Sequence, residues 1–101
     1  MKLIEINMDK IVALCKKYKV KKLWVFGSIL TERFNDDSDV DMSVKFDKKN
    51  IPLLDYADNY FDLLSSLSAL FCRKVDLITE DSLTNPYFIK ELNSTKRLIY
   101  G

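Results

Sequence analysis

Between Ser38 and Phe46 the chain alternates without a break: Asp39, Asp41, Ser43 and Lys45 interleave with Val40, Met42, Val44 and Phe46. Successive side chains of a strand point to opposite faces, so this segment predicts a β-strand with one dry face and one polar face. A dry face must be covered, and the rest of the chain offers the covers. From Met8 to Tyr18, Ile11, Leu14, Cys15 and Tyr18 fall on one helical face, with Asn7 or Asp9 as cap. Lys22 to Phe26 is short, aromatic and β-branched and stops at Gly27, which predicts a buried strand. Pro52 opens a long helical pattern through Leu53, Ala57, Tyr60, Phe61, Leu64, Leu67 and Phe71. Lys74 to Thr79 predicts a third strand, apolar except for Asp76. Asn85-Pro86 starts a last helix, with Phe88, Ile89, Leu92 and Ile99 on its apolar side. Strands alternating with helices in this order imply an α/β or α+β sandwich, a three-stranded sheet covered by helices.

At 101 residues the chain has room for one core, and no repeat or linker divides it, so residues 1–101 are expected to form one domain. No apolar run approaches the roughly 20 residues that cross a bilayer, and the N-terminus lacks the features of a signal peptide. Cys15 and Cys72 are too few for a disulfide framework and read as buried free thiols. A cytoplasmic protein without a membrane partner fits these features. The net charge is +1, so no overall field draws nucleic acid. The cluster Lys16, Lys17, Lys19, Lys21 and Lys22 reads either as a solvated helix end or as a local collector of phosphates. There is no histidine, which removes Ser-His-Asp and Cys-His catalysis and any imidazole metal site. Carboxylates, hydroxyls, lysines and hard metal ions are what remain.

Three groups of residues point to such chemistry. Gly27 is the one internal glycine, and Ser28 follows it where the first strand ends. The pair is either an ordinary turn with a helix cap or a close approach to phosphate groups, with free N–H groups and a hydroxyl as donors. Asp39 and Asp41 stand two apart on a strand and face the same side. They are either a solvated face or a pair of ligands for a cation such as Mg²⁺, which prefers oxygen donors. Asp76 is costly to bury alone. It is either paired with Arg73 or Lys74, left wet on an edge strand, or a third ligand beside the Asp39 and Asp41 pair.

Taken together these residues resemble the polymerase beta-like nucleotidyltransferase superfamily, and closely its minimal stand-alone members, the MNT proteins. The family pattern is Gly-Ser, ten residues, Asp-x-Asp, and a third aspartate on a later strand. Here Gly27-Ser28 precedes the ten residues Ile29 to Ser38, then Asp39-Val40-Asp41, and later Val75-Asp76-Leu77-Ile78. Family members often carry arginine and then glycine after Gly-Ser, where this chain has Thr31 and Glu32. Arg33 is then the candidate that reaches the triphosphate.

The resemblance implies a nucleotidyltransferase fold, a small mixed three-stranded sheet flanked by about four helices. It implies that Asp39, Asp41 and Asp76 are catalytic and hold two Mg²⁺ ions, with Asp76 also taking the acceptor's proton. Gly27, Ser28 and Arg33 would bind the nucleotide, with ATP as donor and AMP as the transferred group. The implied partner is a HEPN-type toxin, modified on a tyrosine, which makes the chain an antitoxin. The competing reading is a non-catalytic antitoxin that neutralises a HEPN partner by binding alone. A homo-oligomer is compatible with either. Transfer to nucleic acid or to an antibiotic usually needs further domains, so direct contact with nucleic acid is not expected.

Overall fold

The computed structural model describes residues 1–101. The alternating segment forms β2, Val40–Phe46, and its apolar set is buried as the pattern requires: Val40, Met42 and Val44 are fully enclosed and Phe46 nearly so. β2 is central. It pairs antiparallel with β1, Val20–Phe26, and parallel with β3, Val75–Thr79. A parallel neighbour needs a crossover, and the helix α3, Tyr56–Phe71, supplies it.

Two layers enclose the core. Leu23 and Val25 of β1, the apolar set of β2, and Val75 and Leu77 of β3 make one wall. Ile11 and Cys15 of α2, Met8–Lys17, and Leu63, Leu67 and Phe71 of α3 make the other. A short helix, α1 (Lys2–Ile6), adds Ile4. The last helix, α4, is Pro86–Thr95, and Asn85 caps it by accepting from the N–H groups of Tyr87 and Phe88. Its Phe88 meets Phe26 edge-to-face at 6.5 Å between ring centres. Phe26 alternates with buried Val25, so α4 lies over the opposite sheet face from α2 and α3. No helix is long and apolar enough to cross a membrane.

The sheet differs from expectation by one strand. Residues Arg97–Tyr100 form β4, antiparallel to β1, so the mixed sheet has four strands in the order β3-β2-β1-β4. Ile99, expected on the last helix, belongs to this strand. The helix breaks because Lys96 is extended (φ −62°, ψ 149°), and the edge of β1 then takes up the freed backbone.

Three side-chain placements also differ. The buried face of α3 runs through Leu63, while Leu53 and Phe61 of the expected stripe are 89% and 59% exposed. Leu67 and Phe71 of that stripe are buried and Tyr60 and Leu64 pack against the core as expected, while Leu53 lies in a 3₁₀ turn, Leu53–Asp55, ahead of the helix. Ser43, expected on the wet face, is fully buried between Trp24 and Ile78 on the flanking strands, and its hydroxyl has no hydrogen-bond partner. Cys72 is exposed rather than buried, because it ends α3 in a left-handed conformation (φ 53°).

Cys15, by contrast, is fully enclosed, and burial pushes its thiol up to about 12. A thiol reagent at neutral pH should therefore modify one cysteine per native chain, Cys72, and reach Cys15 only after unfolding. Two fast-reacting thiols in the native protein would contradict the packing of α2 on the sheet.

Candidate active site

Strand β1 ends where Asp41 comes closest to it. Gly27 takes φ +75°, a left-handed conformation that side chains rarely adopt. A Cβ at this position would also collide with Asp41 Oδ2 and stand 3.3 Å from its Cγ. The glycine is thus required twice, by backbone angle and by the neighbouring carboxylate. A single 3₁₀ turn, Gly27–Leu30, follows, pinned to the core by Ile29. Thr31 closes it: its N–H and its hydroxyl both donate to the Ser28 carbonyl, at 2.9 and 2.8 Å. With only one turn there is no helix dipole of note, and the Ser28 hydroxyl and local N–H groups are the available donors.

The loop that returns the chain to β2 is tied down from a distance. Arg73 donates from Nη1 to the carbonyls of Asn35 (2.9 Å) and Ser38 (3.0 Å). Its guanidinium also lies 4.8 Å from the centre of the Phe34 ring. Within the loop, Ser38 Oγ accepts from the Asn35 N–H at 3.0 Å. These contacts set the position of Asp39, the next residue, and the Val40 N–H then enters the sheet by donating to the Lys74 carbonyl.

Register brings the carboxylates together. Asp41 is the partner of Phe26 on β1 and of Asp76 on β3, so Asp41 and Asp76 stand side by side on the face that α4 only partly covers. Lys74 sits among the acids, with Nζ 3.6 Å from Asp76 Oδ1 and 4.0 Å from Asp39 Oδ2. The pairing of Asp76 therefore falls to Lys74, while Arg73 is spent on the loop. Burial holds the Asp41 carboxyl above its ordinary value, and the neighbouring Asp76 and Asp39 raise it further against the opposing pull of Lys74. As they stand, the three carboxylates do not close on one point. Their chemistry nonetheless suits a hard divalent cation: all donors are oxygens, mutual repulsion is present, and a lysine ammonium already fills part of the need for positive charge.

Beside Gly27 and Ser28 opens a cleft of about 820 Å³, lined among others by Arg33, Phe88, Glu91 and Arg97. Three of the expected nucleotide residues, Gly27, Ser28 and Arg33, thus border one cavity. The far wall, from α4 and β4, escaped sequence reasoning, since no motif links residues 88–97 to Gly27. Only the chain reversal at Lys96 brings them there.

Two outcomes follow from this geometry. Asp41 takes up its proton in the folded state at higher pH than in the unfolded chain. Its contribution to stability is then fully present below the ordinary value of 3.8 and lost as pH rises through the raised one. In chelator, Asp41→Asn should melt above the parent at neutral pH, and the gap should close as pH falls toward 3.8. Thermal melts across pH check this, and a gap independent of pH would contradict it. Gly27→Ala should cost on the order of 1–2 kcal/mol for the left-handed backbone. By displacing Asp41 it should lower any transfer activity by about 100-fold. Urea unfolding and turnover of one preparation give both numbers, and a variant with parental turnover would contradict the close approach.

Comparison with known proteins places this arrangement. The polymerase beta, nucleotidyltransferase family matches residues 9–101. A protein of Methanocaldococcus jannaschii named protein adenylyltransferase MJ1379 is 39% identical over 84 residues, covering 83% of this chain and 79% of its own. A solved minimal nucleotidyltransferase superposes with a TM-score of 0.74 at 23% identity, over 95% of this chain and 92% of its own. A chain from the complex of a tri-AMPylated Shewanella oneidensis HEPN toxin with an MNT antitoxin superposes with a TM-score of 0.64 at 18% identity, over 96% and 71%. With the Gly-Ser turn, the Asp-x-Asp strand and the third aspartate in place along the matched length, the chain belongs to the polymerase beta nucleotidyltransferase family.

Proposed function

We propose that this nucleotidyltransferase carries AMP from ATP to a tyrosine hydroxyl of a HEPN-type toxin and so acts as its antitoxin. The observation that supports a catalytic role is the register pairing of Asp41 with Asp76, beside Gly27, with Lys74 lying near both Asp76 and Asp39. A chain that neutralised its partner by contact alone has no need of three carboxylates gathered at a physical cost. The adenylyltransferase name of the M. jannaschii relative and the AMPylated toxin in the Shewanella complex support the group transferred and the kind of acceptor.

Asp39, Asp41 and Asp76 would hold two Mg²⁺ ions, which when bound neutralise phosphate charge and make the acceptor hydroxyl more acidic. Gly27 and Ser28 hold the β- and γ-phosphates with N–H and hydroxyl donors. The acceptor oxygen attacks the α-phosphorus, forming a new O–P bond. The bond from that phosphorus to the bridging oxygen breaks, and pyrophosphate leaves. Asp76 accepts the hydroxyl proton. The added AMP brings bulk and negative charge to the partner surface, which suits the blocking of a toxin that must bind RNA.

Incubation with ATP, Mg²⁺ and a HEPN protein encoded beside this chain, followed by intact mass spectrometry of that protein, tests the proposal. AMP-sized increments should appear, vanish with Asp41→Asn, and form at least about 100-fold more slowly with Asp76→Asn, the low end for a lost general base. A tight, inhibited complex without any mass change would overturn transfer in favour of neutralisation by binding.

A further inference from the structure

We propose that the end of the sheet opposite the carboxylates is a nucleic-acid-binding surface, which holds the phosphodiester backbone without reading sequence. The proposal is independent of nucleotidyl transfer and rests on where the lysines lie. Lys16 and Lys17 end α2, Lys19 stands in the turn that follows, and Lys21 and Lys22 open β1. The end of β2 meets this segment: Val20 pairs with Phe46, and the Asp47 N–H donates to the Lys19 carbonyl at 2.8 Å. That meeting adds Lys45, Lys48 and Lys49 to the first five, so half of the chain's 16 lysines and arginines share one end of the molecule. Lys21, Lys45, Lys48 and Lys49 border one cleft of about 510 Å³, and Lys16 and Lys19 border another of about 450 Å³.

Little at this end neutralises them. The acids in the two clefts are Asp47 and Asp81. Asp47 accepts from the Asn50 side-chain amide at 2.6 Å, and Asp81 pairs with Lys48 at 2.8 Å. Lys16, Lys21, Lys22, Lys45 and Lys49 are exposed and make no ion pair, since the remaining pairs belong to Lys74 and Lys96. Lys45 alternates with buried Val44 and Phe46, so it leaves the sheet on the face away from the core. Lys22 is its register partner, which sets two like charges directly opposite each other, an arrangement that destabilises a sheet. Attraction to a helix C-terminus accounts for Lys16 and Lys17 but not for Lys22 and Lys45, which stand on strands. A bound polyanion relieves their repulsion.

The lysines are spread over two clefts and a cross-strand pair, so they do not converge on a single anion. Spread cations match a polymer that carries a charge on every unit, as a nucleic-acid backbone does, better than a free phosphate. The carboxylates stand toward the other end of β2, with Asp41 four residues from Lys45, about 13 Å of strand. Asp36, Asp37 and Asp39 lie beyond Asp41 on the loop that enters β2. The net charge of +1 is therefore a sum over two ends of opposite sign. Charge segregated in this way draws a polyanion to the lysine end and turns it from the carboxylates.

Fluorescence anisotropy of the full chain with labelled single-stranded RNA and with duplex DNA, over about 50–200 mM salt, tests the proposal. At least one probe should bind, with affinity falling as salt rises. Tighter binding of the RNA or of the duplex names the source, and either result upholds the surface. Lys22→Glu sets opposite charges across the strands, so it should melt at or above the parent while binding at least about tenfold more weakly at low salt. The slope of log affinity against log salt should flatten by about 1. Lys90→Glu makes the same change of net charge on an exposed position of α4, and should keep affinity within about twofold of the parent. Equal losses in the two variants would reduce the effect to net charge and overturn the surface. A wild type that binds neither probe, or binds polyglutamate of equal charge as tightly, overturns it too. None of these readouts uses AMP transfer, so failure here leaves the proposed function standing.

Discussion

Strand β2 is hydrogen-bonded on both sides, to β1 and to β3, and everything else in the molecule is arranged around that fact. Its two-residue period ties stability and chemistry to one backbone. Val40, Met42 and Val44 are fully buried on one face, and Asp41 rises from the other. A one-residue slip in either pairing would turn the apolar set to solvent and drive Asp41 into the core. The burial that keeps the sheet in register is therefore also what keeps Asp41 opposite Asp76. Each buried Val or Met contributes about 1.5–3 kcal/mol toward that register, which outweighs the repulsion between two partly exposed carboxylates.

The acids are tolerated for local reasons. Lys74 stands between Asp39 and Asp76, and Gly27 leaves the space that Asp41 occupies. Arg73, next to Lys74, is committed to the Asn35 and Ser38 carbonyls instead. Two adjacent cations at the start of β3 thus have separate tasks, one among the carboxylates and one on the loop that carries Asp39. The loop and the acids come from different parts of the chain, yet one short segment after α3 serves both. It begins at Cys72, whose left-handed conformation turns the chain from helix into strand.

Legibility was uneven. β1, β2, β3, α2 and the start of α4 are short-range patterns, in which alternation, helical spacing and an Asn-Pro start each report their own local geometry. β4 was not legible, because Ile99 lies seven residues after Leu92 and fits a helical stripe as well as a strand. Its state depends on the open edge of β1, which no window of sequence displays. On α3, Leu67 and Phe71 were legible as buried, but the choice between Leu63 and Phe61 was not, for a related reason. Where several apolar residues crowd one helix, the neighbour decides which of them is covered, and here Leu63 is enclosed while Phe61 stays exposed. Cys72 and Ser43 follow the same rule, since a residue type sets a tendency to be buried and the packing of other elements settles it.

For the candidate site, the sequence by itself determined which side chains were available and on which strand faces they stand. Gly27 follows β1, Asp39 and Asp41 flank the first residue of β2, and Asp76 is alone among apolar residues. These are properties of residue type and of a period of two, and they hold wherever the strands lie. Only the tertiary structure decided what meets what: Asp41 with Asp76 through parallel register, Asp39 with Lys74, and the Gly27–Ser28 turn with Phe88 across a cleft. Those meetings join residues tens of positions apart. They are set by the register of buried strands and by the break at Lys96, because both arise from burial and edge pairing summed over the whole fold rather than from any local preference.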